Sequence, residues 1–482
     1  MQFNSYLFIL VFMPLTVAGY FILNKIDHRA GKLGLIAAGA VFYCQAGWDS
    51  AAVFAASIVL SYAAALAVAR LRRGRKLALT LGILANVFLL AFFKYHDFYI
   101  DNIGWFAPEG GFVRGIFLPL GISFFSFQQI AYLVNVYDGT IERPGLEDYL
   151  CYIFFFPKLI MGPIVEPGEL ISQLNDSGRK APIADNLASG AKLFSFGLFK
   201  KAVLADTLAY MVAWGFGDIE AVSSLDMLIV MLSYTFELYF DFSGYSDMAV
   251  GVAKMMNIEL PINFDSPYKC CSIGEFWKHW HITLSDFLTK YIYFPLGGSR
   301  RGRLRGYFNI MVVFLVSGIW HGANWTFILW GICHGILNVL ERVFAKLFNK
   351  IPRFIRWLYT FSAVNVLLLL FNAQSIHQWK VILRKFLMPE SFHLSESLVN
   401  FVAAPEMQFI SDKLHLGGVI EAFPAFWILL LLLLSFVICL VPDNNHRTIK
   451  NNSVFSSVLA AFAFVWGFIS LGGESSFVYF GF

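Results

Sequence analysis

Apolar tracts recur along the whole chain, separated by short polar connections. They lie near 3–23, 33–47, 51–69, 77–93, 116–136, 148–165, 190–214, 223–255, 308–341, 354–371, 425–441 and 454–472. Many have the length of a bilayer-crossing helix. Others are short or broken by glycine and proline, and the longest have room for two helices. The pattern predicts an all-α, polytopic membrane helix bundle of roughly 10–13 spans, some short or re-entrant. Met1 to Leu23 has no basic leader and a long unbroken apolar run, so it is expected to be the first span rather than a cleaved signal.

Cations set the expected orientation. Lys25, His28, Arg29 and Lys32 follow the first tract, and Arg70, Arg72, Arg73, Arg75 and Lys76 follow the third. Further clusters are Arg300, Arg301, Arg303 and Arg305, and the run from Arg342 to Arg356. By the positive-inside rule these loops face the cytoplasm. His96 to Gly111, with Asp97, Asp101 and Glu109, then falls outside. The chain between Arg305 and Arg342 is apolar with cations at both ends, so it must enter and return. Its first arm, Tyr307 to Ile319, is expected to reach about 20 Å, short of a bilayer core of about 30 Å. The tip, Trp320 to Trp325, then sits within the membrane or near its outer side, in a place where protein or a water-filled cavity must satisfy the backbone.

Composition agrees with a membrane protein. Hydrophobic residues make up 58% and charged residues 14%, against about 25% charged in soluble domains. A net charge of +4, with no long basic stretch, argues against nucleic-acid binding. The six cysteines have no C-x-x-C spacing and read as small buried hydrophobes. No soluble domain and no repeat is evident, so 1–482 is expected to be one membrane domain. Its parts are N-terminal spans (1–115), a motif-bearing core (116–345) and C-terminal spans (346–482).

Ionisable groups inside apolar tracts cost about 2.5–3.5 kcal/mol each on insertion scales, so their presence points to function. His321 sits at the expected tip, with Asn324 three residues on and His334 beyond. A neutral imidazole there can take a proton from a hydroxyl nucleophile, and Asn324 shares its face if the stretch is helical. The alternative is a buried histidine bonded to a backbone carbonyl. Trp277, Lys278, His279, Trp280 and His281 form a second group. On a helix His279 and His281 point about 200° apart, which argues against a shared metal site. One inward histidine, His281, with His279 at the interface is the expected arrangement. No metal ligand set is predicted. Lys278, Arg300 and Arg301 read as a basic rim able to attract phosphates, or as topology signals alone. Glu237, Asp241, Ser243, Tyr245 and Asp247 form a polar stripe in an apolar run. Such a stripe lines a bundle interior, either as part of a cavity or as packing hydrogen bonds. No nucleophile elbow or phosphate-binding loop is present. The residues by themselves support an enzyme or a transporter equally.

Several stretches carry a family resemblance. They are LPLGISFFSFQQIAYLVNVYDG (118–139), FFPKLIMGPI (155–164), YFDFSGYSDMAVGVAKMMNIELPINFDSPY (239–268), FWKHWHITLSDFLTKYIYFPLGG (276–298) and SGIWHGANWTFILWGICHG (317–335). In this order they resemble the membrane-bound O-acyltransferase (MBOAT) family, and most the bacterial branch that O-acetylates alginate and other cell-surface polysaccharides. Residues 1–90 and 353–482 resemble it mainly in hydropathy. The resemblance implies a central tunnel, entered by an activated acyl group from the cytoplasm and by a hydroxyl acceptor from the other side. It places the family's Trp-His-Gly histidine at His321, as general base or proton relay. The second family histidine falls at His281, which positions the thioester or lines the tunnel with Trp277, Trp280 and Asn324. It further implies acetyl-CoA as donor substrate with no bound cofactor, a bacterial inner-membrane location among lipids, and an extracytoplasmic acetyltransferase of serine-hydrolase type as partner. Cys270-Cys271 and Lys278-His279 depart from the family's usual residues, at positions that bear on donor docking. The alternatives are D-alanyl-type transfer from an acyl carrier protein, a polysaccharide or acyl transporter, or a non-catalytic scaffold. A transporter of the repeat type calls for paired broken helices in two related halves, and no such repeat is seen.

Overall fold

The computed structural model describes residues 1–71, 73–103, 115–388, 391–401, 413, 415, 423, 425–442, 444–448 and 453–472. Among these, regular structure is helical, with no strand and one isolated bridge between Phe264 and Trp280. The expected all-α bundle is borne out. In chain order the helices are α1 (Met13–Ile26), α2 (His28–Cys44), α3 (Trp48–Arg70), α4 (Arg75–Ile103), α5 (Ile122–Asp138), α6 (Leu146–Phe154), α7 (Phe156–Leu159), α8 (Pro167–Asn175) and α9 (Ala184–Phe199). They continue with α10 (Asp206–Gly217), α11 (Ser224–Met255), α12 (Ile273–Phe276), α13 (Ile282–Leu288), α14 (Arg303–His321), α15 (Trp325–Val343), α16 (Ala345–Phe348), α17 (Arg353–Asn372) and α18 (Ile376–Leu387). The expected outer loop, His96 to Gly111, lies outside the described residues from 104 onward, as does most of the connection 384–424.

Among the described residues, five helices are long and apolar enough to cross a membrane: Phe8–Ile26, Trp48–Arg70, Arg75–Asn102, Arg303–His321 and Arg353–Asn372. Phe426–Leu440 and Val454–Ile469 are shorter apolar helices. Outward faces of these segments carry large apolar side chains such as Leu15, Val59 and Phe88. In water such a surface is unfavourable, whereas lipid tails cover it without cost.

The chain divides into two compact units, each assembled from separate segments. One comprises Met1–Gly197, Tyr245–Ile262 and Ile449–Ala461; the other comprises Leu198–Gly244, Asn263–Thr448 and Phe462–Phe482. The division falls within α9 and within α11. The second unit holds both expected family histidines. Its core is aromatic, with Phe236, Tyr268, Phe276, Trp280 and Trp330 all buried.

The segment expected to enter and return is a helical hairpin, α14 and α15. It differs from expectation in length. The basic residues Arg303 and Arg305, assigned to the loop from sequence, form the first turn of α14, and Trp320 and His321 form its last. The arm therefore has 19 residues rather than the 13 expected, or about 28 Å, close to a full bilayer core. The break is confined to Gly322–Asn324, and Asn324 caps α15 by accepting the Thr326 N–H at 3.0 Å. The two arms touch through glycines. A Cβ on Gly318 would lie 2.4 Å from the Phe327 carbonyl oxygen, and one on Gly331 would lie 2.4 Å from that of Phe314. With hydrogen in place of a side chain, the backbones approach closely, as small residues allow in membrane helices.

Candidate functional site

His321 is the last residue of α14 and is 4% exposed. Its ring lies 5.1 Å from that of Trp330, 5.0 Å from Phe371 and 4.9 Å from Trp320. His281 reaches the same neighbourhood from another part of the chain. It packs 6.2 Å from the same Trp320 ring and 4.8 Å from Phe242. The two histidines, forty residues apart in sequence, thus share Trp320 as a neighbour.

The backbone around His281 corrects the helical expectation for its segment. α12 stops at Phe276 and α13 starts at Ile282, so Trp277 to His281 form a turn. His281 has φ 46°, in the left-handed region, an uncommon conformation for a residue other than glycine, which surrounding bonds hold in place. Those bonds come from 263–265: Ile282 N–H donates to the Asn263 carbonyl at 3.0 Å, and Asp265 N–H to that of His279 at 2.9 Å. The turn buries His281 and leaves His279 half-buried at the surface, with its Nδ1 3.0 Å from the Glu275 carbonyl. Glu341 on α15 anchors the start of α12, just before this turn, by accepting the N–H groups of Ile273 (2.8 Å) and Gly274 (3.2 Å).

Hydrogen-bond partners define two ring states. His281 Nδ1 lies 3.1 Å from Asn263 Oδ1. The amide oxygen only accepts, so Nδ1 carries the hydrogen and Nε2 the lone pair. His334, buried on α15, has the opposite arrangement. The Trp277 indole N–H, which only donates, reaches its Nδ1 at 3.2 Å; the hydrogen of a neutral His334 therefore sits on Nε2. His334 was noted by sequence only as lying beyond His321, and Asn263 did not stand out at all.

Among the described residues of this unit, a cavity of about 380 Å³ is lined by Trp277, Lys278, Asp286, Ser317 and Arg342, among others. Ser317 is one helical turn from His321. A larger one of about 650 Å³ is lined by Arg303, Arg342 and Lys346, with no carboxylate among its described walls. The two share Tyr293, Ile310 and Arg342. Of the expected basic rim, Lys278 lines the smaller cavity. Arg300 and Arg301 lie exposed on the turn before α14 and line neither.

The remaining expected residues are placed as follows. Trp280 is buried in the aromatic core, 5.5 Å from Phe276. The side-chain amide of Asn324 donates to the Gln374 carbonyl at 3.0 Å, so with its cap it ties α15 to the end of α17. It follows the end of α14 and does not share a helical face with His321. Asp241 pairs with Lys201 at 2.7 Å, and Lys201 pairs with Asp206 at 2.8 Å. Glu237 and Ser243 are buried on the same helix. Tyr245 and Asp247 belong to the other unit, where Tyr245 stacks on Phe3 at 4.8 Å. Among the described residues no group of three or more His, Cys, Asp or Glu side chains is placed to hold a metal ion.

The model of the MBOAT, membrane-bound O-acyltransferase family, matches residues 75–378. The chain belongs to the MBOAT family. It is a multi-pass membrane acyltransferase. It is similar over its whole length to the peptidoglycan O-acetyltransferase of Helicobacter pylori, with 36% identity covering 100% of this chain and 97% of that protein. It is 37% identical to the probable alginate O-acetylase AlgI of Azotobacter vinelandii, over 78% of this chain and 76% of that one. The teichoic acid D-alanyltransferase of Streptococcus thermophilus is more distant, 30% identical over 47% of this chain and 57% of its own. The resemblance read from the motifs is thereby borne out, and the matched region of this MBOAT protein contains both His281 and His321.

Proposed function

We propose that this MBOAT protein takes an acetyl group from acetyl-CoA at the cytoplasmic face of a bacterial inner membrane and passes it outward for O-acetylation of a cell-surface or exported glycan. The observation that carries the reading is the carboxylate-free cavity with Arg303, Arg342 and Lys346, which shares walls with a smaller cavity reaching Trp277 and Ser317. Cations in the first suit the phosphates of a coenzyme, and Trp277, Ile310, Val313 and Phe314 in the second offer an apolar wall to a thioester arm. Similarity along the whole chain to a peptidoglycan O-acetyltransferase makes peptidoglycan the first polymer to assay.

In the proposed reaction a hydroxyl oxygen attacks the thioester carbonyl, the C–O bond forms, the C–S bond breaks, and the hydroxyl proton ends on the departing thiolate. His321 is the general base, taking the hydroxyl proton and returning it to the departing thiolate, and His281 presents its Nε2 lone pair to orient the reacting groups. The immediate acceptor is either the glycan or a serine of an extracytoplasmic serine-hydrolase-like partner.

The test is transfer of label from radiolabelled acetyl-CoA by the protein in lipid vesicles, with and without His321→Ala. Label should enter the protein, a partner or added glycan in the wild type, and transfer should vanish in a variant that inserts normally. Transfer that survives in His321→Ala refutes the catalytic assignment. Transfer from a carrier-protein thioester, and none from acetyl-CoA, moves the protein to D-alanyl-type chemistry.

A further inference from the structure

We propose that Asn263 is a positioning residue for acyl transfer, setting the His281 ring so that Nε2 presents its lone pair. The inference rests on the proposed reaction above. Asn263 is buried, and its Oδ1 collects three donors: His281 Nδ1–H at 3.1 Å, Thr283 Oγ1–H at 3.1 Å and Thr283 N–H at 3.3 Å. The backbone N–H settles which way the amide faces. Turned over, the amide NH₂ would oppose the Thr283 N–H, donor against donor. With oxygen inward, the His281 ring has one tautomer.

Three features mark this as positioning rather than packing. First, the oxygen of the Asn263 amide holds two residues at once, the His281 ring and both donors of Thr283. That arrangement uses the amide as an acceptor aimed at the ring. Second, the pairing of 263–265 with 279–282 sets Asn263 directly beside His281, whose left-handed backbone aims the ring inward. Third, the ring so held faces Trp320, the residue it shares with His321. A histidine free to change tautomer would spend part of its time with an N–H where the site needs a lone pair. An acceptor locked on the remote nitrogen removes that loss.

The test uses membranes from cells making the full-length chain, so that partners remain, with radiolabelled acetyl-CoA as the donor probe. Transfer rate at saturating donor and acetyl-CoA binding are measured separately. Asn263→Leu should keep acetyl-CoA binding and lose about a hundredfold in rate, falling to the level of His281→Ala. Asn263→Asp, which still offers an oxygen to Nδ1–H, should return to within about tenfold of wild type. A Leu variant within about threefold of wild type overturns the inference. So does an Asp variant as slow as Leu with normal binding. If the Leu variant fails to insert, Thr283→Val decides: it loosens Asn263 without touching His281 and should slow transfer by about tenfold, and an unchanged rate overturns the inference. A wild-type membrane that transfers no label fails the proposed reaction itself, and this inference with it.

Discussion

Replacing Lys201 with methionine should destabilise the protein far more than loss of a surface ion pair. Lys201 lies in a wide π-helical turn, Lys200–Ala205, between α9 and α10. In an α-helix residues 201 and 206 would point about 140° apart. The i→i+5 turn brings them together, and Lys201 Nζ lies 2.8 Å from Asp206 and 2.7 Å from Asp241 on α11. Lys201 and Asp241 side chains are each 1% exposed, whereas Asp206 is 20% exposed. Glu237, one turn before Asp241, adds a further buried carboxyl to the same face. Removing the cation leaves Asp241 charged in a dry site, which costs about 3–5 kcal/mol. The double variant Lys201→Met/Asp241→Asn removes both fully buried charges and leaves Asp206, which is partly exposed. It should recover at least about 2 kcal/mol of that loss. Reversible unfolding in mixed detergent micelles, titrated with a denaturing detergent, reads the four corners of this cycle. A Lys201→Met loss below about 1 kcal/mol is the value of an exposed pair and would refute a desolvated cluster. A double variant worse than Lys201→Met alone would refute the coupling.

Two further outcomes follow from the same geometry. Gly331→Ala sets a methyl against the rigid Phe314 carbonyl, 2.4 Å away, and should cost about 1–3 kcal/mol in the micelle titration. Gly335→Ala meets the flexible Met311 sulfur at 2.9 Å and should be much milder; equal costs would mean the hairpin contact is not set by backbone approach. Arg342→Ala with Lys346→Ala should raise the KM for acetyl-CoA by about tenfold with little change in kcat, and weaken its salt dependence. An unchanged KM would place the donor's phosphates elsewhere.

Much of this protein was legible in the order of its residues. A bilayer penalises polar groups so strongly that the apolar tracts mark the helices and the few embedded histidines mark themselves. Cations at both ends of 305–342 revealed a segment that enters and returns, because charge does not cross readily. The motifs around His281 and His321 carried the family. The length of the hairpin was not legible, because arginines can open a membrane helix as readily as they fill a loop. Nor was the role of Asn324, since a cap and a catalytic amide look alike in sequence.

Sequence alone, then, determined that this is an all-helical membrane acyltransferase and which histidines to examine. Tertiary structure decided what surrounds them. Asn263 and His281 are eighteen residues apart, Trp277 and His334 fifty-seven, and Lys201 and Asp241 forty. Hydropathy and motif spacing describe a residue's local chain, and they are silent on which distant side chain will stand within bonding distance. A ring's tautomer, a buried charge's partner and the walls of a cavity are set by such meetings, which exist only once the helices have packed.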